Sequence, residues 1–467
     1  MAADDEGAGA PADGTATDVL GMFQPERLVM RPFLFLALEA ERPLGGGARF
    51  SLAGVDEVLI GRGPRREGIR AQSDGKTRLA VTANSTFLSS AHARLREEPD
   101  GWTVEDLGSR NGVFVNGQQV TRAALSPGDV IAAGRVFFLV EFHEVAEGAV
   151  DGAEVGDADV NNLQAEEPGL QTLLPGLASR IARLRYEARR NSAVTVVGET
   201  GTGKEVLARA LHHLSGRAGP YAAINCGAIP RELIQSELFG NVKGAFSGAT
   251  GSAGYVRDAH QGTLLLDEIV AAPPEVQVAL LRVLQEKVVV PVGSTRAHPV
   301  DVRFVAAAQR PLAEAVAAGG FRKDLQGRLE AFVFELPPLR ERMEDVGILV
   351  ASCLLAAGVT EKDSPRLLPE AALRLLRHEW PLNVRELAHT IERAWARAKD
   401  GVIDESEVPK PKPLAAAEPA SLKDQLVAHL RTTHGNVAEA ARRMGRARPL
   451  VHRWIKRFGI DPDSYRS

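Results

Sequence analysis

The chain has 467 residues, 44% of them hydrophobic and 25% charged, and carries a formal net charge of -4. That length exceeds what one hydrophobic core serves and points to about three domains, while the composition is that of a globular protein and excludes a globally basic nucleic-acid binder. Any DNA contact must therefore be local. Only Cys226 and Cys353 are present, which leaves no disulfide framework or cysteine metal site and points to a reducing compartment. The apolar run Phe33 to Leu38 is too short to span a bilayer, and acidic residues follow Met1 where a leader would be basic, so the expectation is a cytoplasmic protein with no membrane partner.

Residues 1–28 are rich in Ala, Gly, Asp and Thr and read as a disordered tail. Over 29–145 short apolar runs such as "EVLIGRG", "GWTVEDLG" and "VIAAGRVFFLVEF" are broken by Gly, Asn and Asp, a rhythm that predicts an all-β sandwich. Residues 146–169 read as a solvated linker, since eight acidic residues and no Lys or Arg lie between Glu144 and Glu167. From 170 to 405 strand-like runs alternate with helical patterns, the mark of an α/β domain. A linker stiffened by proline, 406–420, precedes an all-α segment, 421–467, with ten Lys or Arg against four Asp or Glu. The expected fold is thus multidomain: all-β, then α/β, then all-α.

Within the α/β region, "AVTVVGETGTGKE" sets a β-branched run before Gly198-Glu199-Thr200-Gly201-Thr202-Gly203-Lys204 and then enters a helical pattern. Strand, glycine-rich loop and helix in that order make a phosphate-binding loop: backbone N–H groups and the helix N-terminus face the anion, and Lys204 adds charge. The residue after the lysine is Glu205, where a hydroxyl that holds magnesium is usual. Downstream, "GTLLLDEI" is a buried-strand pattern ending in Asp267 and Glu268, one carboxylate suited to organise magnesium and the next to polarise water. In "KGAFSGATG" a single large ring, Phe246, stands among Gly244, Ala245, Ser247, Gly248 and Ala249. A core anchor would have more apolar neighbours than this loop supplies, so Phe246 reads as an exposed tool on glycine hinges.

Taken together, "GETGTGKE", "INCGAI", "SELFGNVKGAFSGA", "GTLLLDEI", "LLRVLQE", "FRKDLQGRL", "LPPLRER" and "WPLNVREL" closely resemble the AAA+ ATPase domain of bacterial enhancer-binding proteins, the activators of sigma-54 RNA polymerase. The resemblance implies ATP and Mg2+ as cofactors, with residues 198–205 around the phosphates, Lys204 on the β and γ phosphates, Asp267 on the metal and Glu268 on the attacking water. It implies that Asn225 couples Glu268 to the remodelling loop, that Phe246 tips that loop against sigma-54, and that Arg385 touches nucleotide from the lid. Arg322 and Arg328 match arginine fingers offered to a neighbouring subunit, which implies a homo-oligomeric ring, usually a hexamer. The sequence departs from the family pattern at Gln309, where Asn senses the γ phosphate, and at Leu382, where Gly is usual.

The β region, with "LIGRG", "SSAH" and "DLGSRNGVFVNG", resembles a forkhead-associated (FHA) domain. Arg62, Ser89 and Asn111 then hold a phosphothreonine segment of a partner or of this chain itself, with Arg110 adding charge, while His92 and Gly61 are structural. The segment "GNVAEAARRMGRARPLVHRWIKRFGI" resembles a Fis-type helix-turn-helix. Arg448, His452, Arg453 and Lys456 then face upstream double-stranded DNA, and Val451, Trp454 and Ile455 pack inward. The function implied is a sigma-54-dependent activator under phosphothreonine control; the alternative is a DNA-bound AAA+ regulator or repressor that has lost sigma-54 activation or remodels another protein.

Overall fold

A computed structural model describes residues 28–99, 101–146, 156–159, 169–247, 249–410, 422–444, 451, 454–455 and 460–465. The expected tail and most of the two linkers lie outside these residues.

The N-terminal strands are β1 (Leu28–Glu39), β2 (Ala48–Ser51), β3 (Glu57–Arg62), β4 (Glu67–Ser73), β5 (Lys76–Ala83), β6 (Ala93–Glu98), β7 (Gly101–Asp106), β8 (Val113–Val115), β9 (Gln118–Val120), β10 (Arg122–Ala124), β11 (Val130–Ala133), β12 (Val136–Ala146) and β13 (Ala158–Asp159). They form two sheets, in the orders β13-β2-β1-β12-β11-β8-β9 and β10-β7-β6-β3-β5-β4. Between the sheets lies a core that includes Leu34, Leu36, Val58, Ile60, Val104 and Phe138. Strands β4 and β5 make a hairpin turned by Asp74 and Gly75, both at positive φ, which is what a two-residue turn between twisted strands requires.

One expectation fails here. Part of the acidic stretch read as a solvated linker is structured: β13 pairs with β2, Asp157 binds Arg70, and Asp159 forms an ion pair with Arg66 at 2.6 Å. The acidic charge that predicted solvation is matched by arginines of the β4 side of the sandwich, and Arg66 also pairs with Glu39 where both side chains are nearly out of contact with water.

The α/β unit begins with α1 (Pro175–Ala188), β14 (Val194–Val197), α2 (Lys204–Ser215), β15 (Tyr221–Asn225), α3 (Arg231–Phe239), α4 (Tyr255–Asp258) and β16 (Thr263–Asp267). It continues with α5 (Pro274–Glu286), β17 (Val288–Val289), β18 (His298–Pro299), β19 (Arg303–Ala308), α6 (Leu312–Ala317), α7 (Lys323–Leu329) and β20 (Phe332–Glu335). Strands β15-β16-β19-β14-β20 form one parallel sheet. Alternate residues of its strands face opposite layers: Leu265 packs with Leu184 and Leu211 of α1 and α2, whereas Leu264 and Leu266 pack with α3, α5 and α7. Burial on both faces explains why these strands read as unbroken apolar runs.

Helices α8 (Val346–Ala356), α9 (Pro369–Arg377) and α10 (Asn383–Arg397), with the short parallel pair β21 (Arg366–Leu367) and β22 (Val402–Ile403), form a lid over the strand ends. The lid's core is not its own alone. Phe33, Phe35 and Ala37 of β1 and Phe137 and Leu139 of β12 turn away from the sandwich interior and are buried with Val346, Val350, Leu375, Trp380 and Leu387. Each fully buried side chain of this size contributes roughly 1.5–3 kcal/mol. Further on, α11 (Leu422–Thr432) and α12 (Val437–Arg443) share a small core with Val451, Trp454 and Ile455.

Candidate nucleotide and loop sites

The phosphate loop joins β14 to α2, and its shape is set by glycine. Gly201 and Gly203 hold φ of 79° and 106°, conformations that side chains disfavour. A Cβ on Gly201 would lie 2.2 Å from the Leu382 carbonyl and 3.0 Å from the Arg385 Cβ, so the lid backbone rests directly on the loop. Lys204 Nζ donates to the carbonyls of Gly198 at 2.8 Å and Glu199 at 3.0 Å. Burial lowers the lysine's pKa, the Asp267 and Glu268 carboxylates oppose that shift, and the Arg385 guanidinium adds to it.

Asp267 ends β16 and Asn225 ends β15, register partners on adjacent strands. The Asn225 amide reaches the Asp267 carboxylate at 3.4 Å, and its carbonyl oxygen accepts the N–H groups of Gly227 and Ala228 at 2.8 and 3.1 Å. Glu268 sits at a φ of 51°, held by its N–H to Asp267 Oδ1 at 3.0 Å. Gly227 leaves room for this carboxylate: a Cβ there would stand 2.3 Å from Glu268 Oε2 and 3.3 Å from the Asn225 oxygen. Gln309, at the end of β19, lines with Glu268, Arg310 and Glu314 an open cavity of about 510 Å³. The Glu205 carboxylate pairs with Arg209 on the exposed side of α2 at 3.0 Å.

Sequence reasoning missed the residues that clamp the loop from the lid. Asn383, fully buried at a φ of 56°, donates to the Thr200 carbonyl at 3.0 Å and to Glu199 at 3.2 Å, and accepts the Leu339 N–H at 2.8 Å. Arg340 grips the same glutamate through two bonds of 2.6 and 2.9 Å. Arg340 and Asn383 together hold the Glu199 carboxyl down to about 2. Arg342, buried, donates to the Thr202 carbonyl at 2.8 Å. The signal was present in "WPLNVREL" and "LPPLRER", but as helix and turn residues far from the loop in sequence.

Arg322 and Arg328 are exposed at the start and within α7; Arg322 pairs with Asp324 at 2.6 Å. Among the described residues, neither hydrogen-bonds the phosphate loop of its own subunit.

Phe246 is 40% exposed. Its loop is inserted between α3 and α4 and is closed by backbone bonds, Gly244 N–H to the Ala249 carbonyl and Ala249 N–H to the Phe246 carbonyl, with Gly244 and Gly251 at positive φ. Gly248 lies outside the described residues. A second loop, between β17 and β18, braces the first: the Val242 N–H donates to the Val292 carbonyl at 3.1 Å, the Val292 N–H donates to the Gly240 carbonyl at 2.8 Å, and a Cβ on Gly293 would come within 2.6 Å of the Ala245 Cβ.

In the sandwich, Arg62, Arg110 and Asn111 are exposed around Ser89. The Ser89 hydroxyl accepts the Arg110 N–H at 3.1 Å, Arg62 N–H donates to the Ser89 carbonyl, and the Asn111 amide donates to the Phe87 carbonyl at 2.7 Å. Below them His92, wholly buried, accepts the Ser89 N–H and meets the Gly112 carbonyl at 3.0 Å, tying both loops together. A Cβ on Gly61 would lie 2.1 Å from the Ser90 carbonyl, so only glycine fits there. Arg448, His452, Arg453 and Lys456 lie outside the described residues, while Val451, Trp454 and Ile455 are buried.

Three families match the chain: Sigma-54 interaction domain over residues 174–335, FHA domain over 58–134, and AAA+ ATPase lid domain over 340–427. The α/β unit is thus an AAA+ ATPase-type domain. Among whole proteins, the chain is 40% identical over 305 residues to the acetoin dehydrogenase operon transcriptional activator AcoR of Bacillus subtilis, covering 61% of this chain and 50% of that protein. It is 42% identical over 293 residues to the acetoin catabolism regulatory protein of Cupriavidus necator, covering 58% and 44%. With the transcriptional regulatory protein GlrR of Escherichia coli it shares 37% identity over 330 residues, 68% of this chain and 74% of that one. The chain therefore spans about half the length of the two acetoin regulators and most of the third relative.

Proposed function

Because the chain belongs to the family of sigma-54-dependent transcriptional activators, we propose that it binds DNA upstream of a promoter, assembles a ring of its own copies, and hydrolyses ATP to remodel sigma-54 RNA polymerase holoenzyme until the promoter opens. The observation that carries this reading is one of connectivity. The loop tipped by exposed Phe246 is spliced between β15 and β16, the two strands whose ends carry Asn225 and the Asp267-Glu268 pair. A change at the strand ends therefore has a short covalent route, through α3, to the loop.

Each residue's task follows from its place. Lys204 and the loop N–H groups bind the nucleotide's phosphates, and Glu268, kept clear by Gly227, orients and deprotonates the attacking water. Arg385 reaches the nucleotide from the lid, Gln309 faces the water side of Glu268, and Arg322 and Arg328, exposed on α7, serve a neighbouring subunit's phosphates. The donor set fits Mg2+, which keeps most of its waters and takes one or two carboxylates plus phosphate oxygens: Asp267 holds it, and when bound it neutralises charge on the phosphates. Arg62, Ser89, Arg110 and Asn111 hold a phosphothreonine segment from a partner or from this chain. The core that buries Trp454 and Val451 supports a helix-turn-helix whose Arg448, His452, Arg453 and Lys456 face DNA.

Open-complex formation by purified sigma-54 polymerase on a promoter linked to a bound site tests the reading: opening must require hydrolysable ATP, and opening with a non-hydrolysable analogue refutes it. For the sandwich, Arg62→Ala is expected to remove phosphothreonine-peptide binding measured by calorimetry while the fold persists; unchanged affinity would refute the assignment.

A further inference from the structure

The contact between the sandwich and the lid is built as an interior. Domains that move freely on one another meet through modest, polar surfaces, whereas here β1 and β12 bury Phe33, Phe35, Ala37, Phe137 and Leu139 among lid residues. The approach is close enough to require glycine: a Cβ on Gly347 of α8 would lie 2.0 Å from the Ala37 carbonyl and 3.0 Å from that of Gly46. Glycine within a helix costs about 1 kcal/mol relative to alanine, and this close approach is what its presence serves.

Two polar side chains of the sandwich bear on the lid's entry turn, residues 342–345, His143 directly and Arg49 through the Leu173 backbone that Asp345 binds. His143 of β12 donates through Nε2 to the Glu344 carboxylate at 2.8 Å, and both side chains are largely buried. Arg49 of β2, fully buried, donates to the Leu173 carbonyl at 2.7 Å and to the Gly156 carbonyl at 2.9 Å. The adjacent Asp345 accepts the Leu173 N–H at 2.7 Å and the Thr172 hydroxyl at 2.8 Å. From the other end of the same turn, Arg342 donates to the Thr202 carbonyl in the phosphate loop. A single turn is thus held by the sandwich on one side and holds the nucleotide loop on the other.

We propose that His143 and Arg49 are positioning residues of the nucleotide site: the sandwich is a wall of the AAA+ lid, and through the 342–345 turn it sets how the lid grips the phosphate loop. Nucleotide affinity then depends on side chains that touch no part of the nucleotide loop. Anything that shifts the sandwich against the lid acts on that affinity, and by linkage nucleotide acts back on the sandwich.

The test uses the full chain, fluorescent ADP as probe, and the variants His143→Leu and His143→Gln. Leucine keeps bulk and loses the donor; glutamine keeps an N–H for Glu344. The expected result is an ADP Kd raised at least about fivefold in His143→Leu, with faster amide exchange across residues 339–356, and both restored toward wild type in His143→Gln. Should the leucine variant fail to fold, Gly347→Ala, whose added methyl meets the Ala37 carbonyl, is expected to weaken ADP in the same way. The inference rests on the nucleotide-site reading, and the two failures differ: no ADP binding by the wild-type chain sinks the site and the inference with it, whereas equal ADP affinity in the wild type and folded variants overturns the inference alone.

Discussion

The phosphate loop, Gly198 to Lys204, and the Phe246 loop, Gly240 to Gly254, draw on the same small residues and the same positive-φ glycines. The first is fastened by side chains from a separate unit: Asn383, Arg340 and Arg342 bind Thr200, Glu199 and Thr202. The second is closed by its own backbone, by the Asn241 side chain on the Gly251 N–H, and by a neighbouring loop that meets it at Gly293. Glycine permits both shapes; what differs is whether side chains from elsewhere fix them. A loop that must present backbone N–H groups to phosphates works best when it is rigid, and a loop that must rise and retreat works best when few side chains hold it.

Removing the tip of the free loop has the largest expected effect. Phe246→Ala is expected to lower promoter opening by about thirtyfold or more, as loss of a contact worth at least 2 kcal/mol does, while ATP turnover stays within about twofold of wild type; retained opening would erase the distinction between the loops. Breaking the clamp comes next. Asn383→Ala leaves the Leu339 N–H and the Thr200 carbonyl without a protein partner, at a cost of about 4 kcal/mol in unfolding stability, together with weaker nucleotide binding. Unchanged denaturant midpoints and ADP affinity would show that the loop holds its own shape.

The smallest effect concerns pH. Burial pushes the Asp345 carboxyl up from 3.8 to about 6, with Arg342 only partly opposing it. A folded-state value above the unfolded one means that the native state binds the extra proton between about pH 4 and pH 6, so this group's contribution to stability falls as pH rises through that window. Asp345→Asn is expected to match wild type near pH 4 and to exceed it by about 2–3 kcal/mol at pH 7. A stability difference that does not change with pH would contradict this.

The phosphate loop and the Asp267-Glu268 pair were legible in the sequence because their chemistry is local: strand, glycines, lysine and helix follow one another within a dozen residues. The clamp was not, because Asn383 meets Glu199 across 184 residues and no spacing rule connects them. The sandwich–lid core left a trace that went unused. "FLFLAL" and "VFFLV" are continuous apolar runs where a sheet with one wet face alternates, and both faces of β1 and β12 are in fact covered. The acidic stretch misled because net charge counts carboxylates without their partners, and Arg66 and Arg70 lie roughly ninety residues earlier.

The most direct test of the central claim, that ATP hydrolysis at this site drives promoter opening, is open-complex formation by sigma-54 polymerase with the full chain and with Glu268→Gln. The variant is expected to bind ATP, to hydrolyse it about 10² to 10⁴ times more slowly as loss of a general base predicts, and to open no promoter that the wild type opens. Opening by Glu268→Gln at the wild-type rate, or wild-type ATP hydrolysis with no opening, would contradict the account.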